Sequence, residues 1–283
     1  MDKDDILKNA SKYIEQFKGK VFVIKYGGSI LDDEVISDSI LDDIICFHKN
    51  GIKIVLVHGG GSYISRLMQE RGKEPKFVNG LRVTDEETAE IVDEALTLVN
   101  SDLVYRISKK GVNADAVVSR ENFTIKAKKK NNLIPGDFVG DVESVDTRHI
   151  EYAVKKGSIA VVSPVGVDEN KNVYNINADF AAAEISAALS AEKFIMITNV
   201  KGVMREKDNE ESLISTLKEA EAQRLISLKV IDSGMIPKVQ SGNLALDKGV
   251  AKVHIISGRI AHSLLIEVFT DKGIGTEIVA NVK

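Results

Sequence analysis

The chain is short of the residues that staple, span or chelate. Its 283 residues include a single cysteine, Cys46, and five histidines. An internal disulfide is impossible, and a cysteine-rich zinc cluster is excluded. No apolar run approaches the roughly 20 residues that a membrane helix needs, so no membrane role is expected. The start, Met1-Asp2-Lys3-Asp4-Asp5, is acidic and lacks the basic and apolar regions of a secretory signal. The expected location is the cytoplasm. A basic excess is missing too: 38 Lys and Arg stand against 42 Asp and Glu, a net charge of -4. That balance argues against a nucleic-acid binder. No linker rich in Pro, Ser or Gly divides the chain, and no repeat or low-complexity segment occurs. A chain this long buries enough surface to need no covalent staple.

What is present is an alternation. Val21-Phe22-Val23-Ile24-Lys25 is a nearly continuous apolar run, as expected for a buried parallel strand. The same holds for Ile52 to His58, Ser158 to Val162, Lys193 to Thr198 and Val250 to Ile256. Between them lie helical patterns such as Ile36, Ile40, Ile44 and Phe47. Lys49-Asn50-Gly51, Lys110-Gly111, Lys156-Gly157 and Lys248-Gly249 read as helix ends. Lysine suits the negative end of the helix dipole, and glycine takes the left-handed conformation cheaply. Thr84-Asp85-Glu86-Glu87 has the form of a capping box opening a helix. The alternation predicts an α/β fold: a three-layer αβα sandwich around a mainly parallel sheet. Residues 123–145 break the rhythm and read as a β-hairpin insertion, with turn signals at Lys128 to Asn132 and Pro135-Gly136-Asp137. Its lysines, Lys126 and Lys128 to Lys130, fit a solvated hairpin that resists edge pairing. A lobe boundary is expected near Val173, separating 1–173 from 174–283.

Two glycine turns carry the first chemical signal. Lys25-Tyr26-Gly27-Gly28-Ser29 follows the first strand, and His58-Gly59-Gly60-Gly61-Ser62 follows the second. Glycine N–H groups can approach an anion closely, and a helix start behind such a turn favours negative charge. One such turn is weak evidence. Two at successive strand ends are stronger, because ligands of open α/β sheets bind there. Neither turn is a Walker A loop or a Rossmann fingerprint.

Further segments add charged groups. Arg82, in Asn79-Gly80-Leu81-Arg82-Val83-Thr84, can clamp a carboxylate or form a surface ion pair. Asp179, in Asn175-Ile176-Asn177-Ala178-Asp179, falls in the first turn of an alanine-rich helix, where dipole complementarity alone would suit it. Lys238 sits behind the rigid turn Gly234-Met235-Ile236-Pro237. His58 reads as a backbone partner beneath its glycine turn rather than as a base. Cys46 reads as packing.

Together these segments resemble the amino acid kinase family, and within it the branch that acts on N-acetyl-L-glutamate in arginine biosynthesis. The resemblance rests on residues 23–29, 57–61, 79–84, 174–179, 234–239 and Gly273-Ile274-Gly275-Thr276, and runs from about residue 5 to the C-terminus. At Ser119 to Asn122, Val99 to Asp102 and Asn199 the chain departs from the family's usual wording.

The resemblance implies transfer of the ATP γ-phosphoryl group to the side-chain carboxylate of N-acetyl-L-glutamate. Lys25 and Lys238 would offset phosphoryl charge, and Asp179 would hold both lysines. The N–H groups of Gly27, Gly28, Gly59 and Gly60 would grip the phosphoryl group. Gly60, Gly61, Arg82 and Asn175 would bind the acceptor. Thr198, Asn199, Gly202 and Lys238 would bind the nucleotide. Mg2+ would ride on the nucleotide phosphates, with no protein metal cage. Residues 1–173 would bind the acceptor and dimerise, and 174–283 would bind ATP. A leading helix over 5–17, with Ile6, Leu7, Ala10, Tyr13, Ile14 and Phe17 on one face, resembles that of arginine-inhibited hexameric members. His254, Glu267 and Gly273 would form the arginine site. The expected assembly is a homodimer or a homohexamer. Other readings are a different carboxylate or carbamate kinase of the superfamily, or a non-catalytic sensor of arginine or nucleotide.

Overall fold

The computed structural model describes residues 3–78, 80–130, 137–206, 209–232 and 234–280. Asn79 and the turn signals at 131–136 lie outside the described residues, as does Ser233. The chain begins with α1 (Lys3–Lys8), α2 (Ser11–Phe17), β1 (Val21–Tyr26), α3 (Gly28–Leu31), α4 (Glu34–Lys49) and β2 (Lys53–His58). Then come α5 (Gly61–Glu70), β3 (Phe77–Val78), β4 (Leu81–Arg82), α6 (Glu86–Lys109), β5 (Ala114–Val117) and α7 (Ser119–Asn122). β6 (Ile125–Lys129), β7 (Val139–Val145), α8 (Arg148–Lys155), β8 (Ile159–Val162), β9 (Val165–Val167) and β10 (Val173–Ile176) follow. The last part holds α9 (Ala178–Ala188), β11 (Lys193–Thr198), β12 (Thr216–Lys218), α10 (Glu219–Ser227), α11 (Ile236–Asp247), β13 (Lys252–Ser257), α12 (Ser263–Phe269) and β14 (Thr276–Val279).

Eight strands form one sheet in the order β12-β14-β13-β11-β1-β2-β8-β5. It is parallel except where β14 runs against β13. The expected α/β architecture is therefore present. Alternation along β1 explains the layers. Phe22, Ile24 and Tyr26 face a core shared with α4, α12 and the C-terminal half of α6. Val23 faces a second core shared with α8, α9 and α11. Side chains of successive strand residues point to opposite faces, so a strand apolar at every position needs a helical layer on each side.

The Lys-Gly helix ends behave as expected. Gly51, Gly111, Gly157 and Gly249 have φ between +79° and +95°, a region in which a Cβ would be strained. Three local expectations need correction. The leading helix is two helices, because Asn9 Nδ2 donates to the Asp5 carbonyl that an unbroken helix would offer to the Asn9 N–H, which turns to Ile6 O instead. The cap of α6 is Asp85, not Thr84: Asp85 accepts from the Thr88 N–H, while the Thr84 hydroxyl donates to Arg82 O. The 123–145 hairpin exists, with β6 and β7 antiparallel, but it is built into a small closed sheet with β9 and β10. Lys126 and Lys130 pair there with Glu143, Glu169 and Asp141.

Among the described residues, no helix is long and apolar enough to cross a membrane.

Candidate active site

β1 and β2 lie at the middle of the sheet, so their C-terminal ends bring both glycine turns together. Lys25, the penultimate residue of β1, is 7% exposed and reaches Asp179 Oδ1 at 2.9 Å. Lys238, in the first turn of α11, reaches Asp179 Oδ2 at 2.9 Å. The Lys238 contact is a hydrogen bond. The Lys25 contact is equally short but off alignment, so Oδ1 has no directed donor among the described residues. Asn177 sets this carboxylate in place by capping α9, its Oδ1 accepting from the N–H groups of Asp179 and Phe180.

Charge follows from this packing. Burial would raise the Asp179 pKa, but the two ammoniums prevail and hold it at about 2. Burial pushes Lys25 down, Asp179 opposes that, and Lys238 adds to it. Two ammoniums on one carboxylate leave a surplus positive charge suited to a phosphoryl group.

The turns pack backbone to backbone. A Cβ on Gly28 would lie 3.2 Å from Gly61 N and 3.4 Å from Gly60 N, and one on Gly60 would strike Leu96 Cδ2 at 2.6 Å. Gly28 and Gly61 open α3 and α5, so their N–H groups have no partner inside those helices. One expected donor fails: the Gly59 N–H is committed to Tyr26 O at 2.8 Å, inside the turn. Gly27 stands back from the cavity wall as the cap of α3, its carbonyl accepting from Ile30 N–H.

Lys25, Asp179, Gly28 and Gly59 to Gly61 line one cavity of about 400 Å³, shared with Arg82 and Asn175, while Lys238 meets Asp179 without being part of the wall. Arg82 is 7% exposed. Its Nη2 donates to Gly61 O at 2.8 Å and to Ser65 Oγ at 2.9 Å, its Nη1 meets Met68 Sδ, and its Cζ lies 4.7 Å from the Phe77 ring centroid. No carboxylate pairs with it among the described residues, so the expected alternative of a surface ion pair does not occur. A buried guanidinium with neutral partners calls for an anion. Asn175 Nδ2 lies 3.3 Å from Thr84 Oγ1 and faces the same space.

The remaining candidates sit elsewhere. Thr198 ends β11, next to β1, and Asn199 follows it, with Thr198 Oγ1 donating to Asn199 Oδ1 at 3.3 Å. Gly202 packs against Thr276 and Leu213. None of the three lines the cavity. His254, Glu267 and Gly273 form a separate cluster near α2. Glu267 Oε1 is 2.7 Å from His254 Nδ1, and Oε2 accepts from the N–H groups of Ile274 and Gly275. His254 Nε2 is 3.1 Å from Lys193 Nζ, whose pKa burial lowers to about 8.

Residue-by-residue reading missed Asn177 as a cap and Asp32, which accepts from Ser62 Oγ at 2.7 Å on the cavity wall. The Asn-x-Asp spacing of 177–179 carried the first signal. The second is a contact across 30 residues with no local mark.

The sheet, the paired glycine turns and the bridged lysines make an anion-binding cavity at the strand ends. Residues 20–257 match the model of the amino acid kinase family, and the chain belongs to that family. It is 43% identical to the acetylglutamate kinase of Methanocaldococcus jannaschii, over 98% of this chain and 96% of that protein. With the acetylglutamate kinase of Aquifex aeolicus it shares 44% identity over 98% of each. Among solved structures, the N-acetylglutamate synthase of Neisseria gonorrhoeae, complexed with coenzyme A and N-acetyl-glutamate, superposes with a TM-score of 0.86 at 27% identity. All of this chain is covered, but only 65% of that protein. Giardia carbamate kinase, at 14% identity and a TM-score of 0.69 over 93% of this chain and 99% of that one, shares the fold.

Proposed function

We propose that the chain transfers the γ-phosphoryl group of ATP to the side-chain carboxylate of N-acetyl-L-glutamate, giving N-acetyl-L-glutamyl 5-phosphate and ADP. The observation that carries this reading is Arg82, a buried guanidinium without an acid partner among the described residues, on the wall of the cavity that holds the glycine turns. It would bind the acceptor's α-carboxylate, with Asn175, Gly60 and Gly61 beside it. The names and near-complete overlap of the acetylglutamate kinases support the same acceptor.

The acceptor's side-chain oxygen attacks the γ-phosphorus in line, and the bond to the β-phosphate oxygen breaks. A carboxylate is already ionised at neutral pH, so no general base is needed. His58 fits that account: buried, with its pKa pushed down to about 4, it is not part of the cavity wall. Lys25 and Lys238 offset charge on the transferring group, with Asp179 fixing their positions. The N–H groups of Gly28 and Gly60 hold its oxygens. The cavity's carboxylates are a poor metal set: Asp179 is matched by two lysines, and Asp32 accepts from Ser62. Mg2+ would ride on the nucleotide phosphates and neutralise part of their charge.

ATP would lie on the 174–283 side, near Thr198, Asn199, Gly202 and Lys238, and the acceptor on the 1–173 side. The exposed Val35, Leu98 and Tyr105 on α4 and α6 would suit the contact face of a homo-oligomer, and the cytoplasm is the proposed location. Arginine would act at His254, Glu267 and Gly273. Because both Glu267 oxygens are engaged internally, the effector's cation would have to displace His254 or a backbone N–H. A flat arginine titration of the confirmed hexamer removes this regulatory reading.

Coupled ADP release with Mg-ATP tests the acceptor among N-acetylglutamate, glutamate, aspartate, carbamate and UMP. Turnover confined to N-acetylglutamate is expected. Turnover on another acceptor overturns the Arg82 assignment, and silence on all five favours a sensor.

A further inference from the structure

Beneath the second glycine turn lies a buried polar cluster that the transfer chemistry does not consume. His58 ends β2, Asn100 lies inside α6, and Ser163 follows β8. All three are 0% exposed. His58 Nδ1 is 3.0 Å from Gly59 O, while its Nε2 is 3.1 Å from Ser163 Oγ and 3.2 Å from Asn100 Nδ2. Asn100 Nδ2 also donates to Val161 O at 2.9 Å.

Donor counting places the proton. A carbonyl oxygen only accepts, so Nδ1 must carry the hydrogen. Nε2 is then bare and accepts from Asn100 or Ser163. Reversing the Asn100 amide would set its oxygen against Val161 O, so its orientation is fixed as well. That orientation leaves Asn100 Oδ1 without a hydrogen bond among the described residues. An orphaned buried acceptor is costly and calls for an explanation. Burial keeps the imidazole neutral at physiological pH, which preserves the single-proton arrangement.

The consequence falls on the next peptide. Gly59 is held at both ends, its N–H by Tyr26 O and its C=O by the His58 ring. No cis peptide bond occurs among the described residues. In a trans peptide the C=O and the following N–H point in opposite directions. With Gly59 O turned back to the ring, the Gly60 N–H is turned outward, and Gly60 lines the cavity.

We propose that His58, held as its Nδ1–H tautomer by Asn100 and Ser163, is a positioning residue that aims the Gly60 N–H at the transferring phosphoryl group. This rests on the phosphoryl-transfer reading above. His58 touches no substrate. It acts by keeping one peptide plane from rotating, so its effect belongs to turnover and not to acceptor binding.

Two arms test this. Long-range 1H–15N spectra of the histidine-labelled wild-type chain near neutral pH should show His58 protonated at Nδ1 and bare at Nε2. The opposite tautomer overturns the proposal, and this arm holds even if the acceptor is misassigned. The second arm is steady-state kinetics with Mg-ATP and N-acetylglutamate. His58→Leu should lower kcat on the order of 10²-fold and leave the acceptor KM within about threefold. His58→Asn, whose amide can donate from the Nδ1 position, should recover kcat to within about tenfold of wild type. Equal losses in the two variants, or a loss confined to KM, overturn the proposal. If His58→Leu fails to fold, His58→Gln replaces it, because its amide reaches the Nε2 position and not Gly59 O. A wild-type chain silent on N-acetylglutamate refutes the functional reading, while the spectra still decide the tautomer.

Discussion

Replacing Asp179 by asparagine removes the one negative charge that Lys25 and Lys238 share. Both ammoniums lie 2.9 Å from its oxygens, and Lys25 is 7% exposed. Stranding a buried charge costs about 3–5 kcal/mol. The cost has a ceiling, because Lys25 can release its proton. Releasing a proton at pH 7 from an ammonium of ordinary pKa 10.5 costs about 5 kcal/mol, at roughly 1.4 kcal/mol per pH unit. The folded Asp179→Asn variant would then lack a proton that the unfolded chain binds up to about pH 10. Stability rises with pH wherever the unfolded state binds more protons. The stability gap to wild type should therefore narrow between pH 7 and pH 9, by at most about 1.4 kcal/mol per unit. Turnover should fall on the order of 10²–10³-fold, since a lysine loses its charge or its position. Coupled ADP release and urea unfolding at the two pH values provide the assay. A variant that keeps kcat within about threefold, or a gap unchanged between pH 7 and pH 9, refutes the reasoning.

Other outcomes follow from the same geometry. Arg82→Ala should raise the acceptor KM about 10–100-fold, the worth of a charge-assisted hydrogen bond, with the ATP KM unchanged; initial-rate kinetics in both substrates check this. Lowering the pH from about 6.5 to 4 should cost stability through His58, because the unfolded imidazole takes a proton near 6.5 and the folded one only near 4. Its share is about 3 kcal/mol, and urea unfolding of His58→Asn should show a shallower fall over that window. Glu267→Gln should shift half-inhibition by arginine more than about tenfold upward, as read by titration; an unmoved midpoint removes Glu267 from the effector site. Chelating Mg2+ should abolish ADP release and leave N-acetylglutamate binding, followed by calorimetry, intact.

Local grammar made much of the fold legible. Apolar runs marked β1, β2, β8, β11 and β13, and lysine-glycine pairs marked the ends of α4, α6, α8 and α11. Those signals are short-range and depend on burial and φ alone. The misreadings came from competing hydrogen bonds. Asn9 took a helix carbonyl with its side chain, Asp85 took the cap expected of Thr84, and Gly59 spent its N–H on Tyr26. Each is a choice between two chemically equal partners, decided by position in space. The neutral surroundings of Arg82 and the cluster around His58 join segments 42 to 105 residues apart or depend on burial, so no local pattern announces them. The closed sheet of β6, β7, β9 and β10 was hidden for the same reason.

The central claim is that a carboxylate, bound beside Arg82, receives the phosphoryl group. The product of that step is an acyl phosphate, which hydroxylamine captures as a stable hydroxamate. The chain should be incubated with Mg-ATP, N-acetyl-L-glutamate and hydroxylamine, and hydroxamate measured alongside ADP. The account predicts hydroxamate in step with ADP, and both products lowered together on the order of 10²–10³-fold in Asp179→Asn. ADP without hydroxamate, or hydroxamate undiminished in Asp179→Asn, would contradict it.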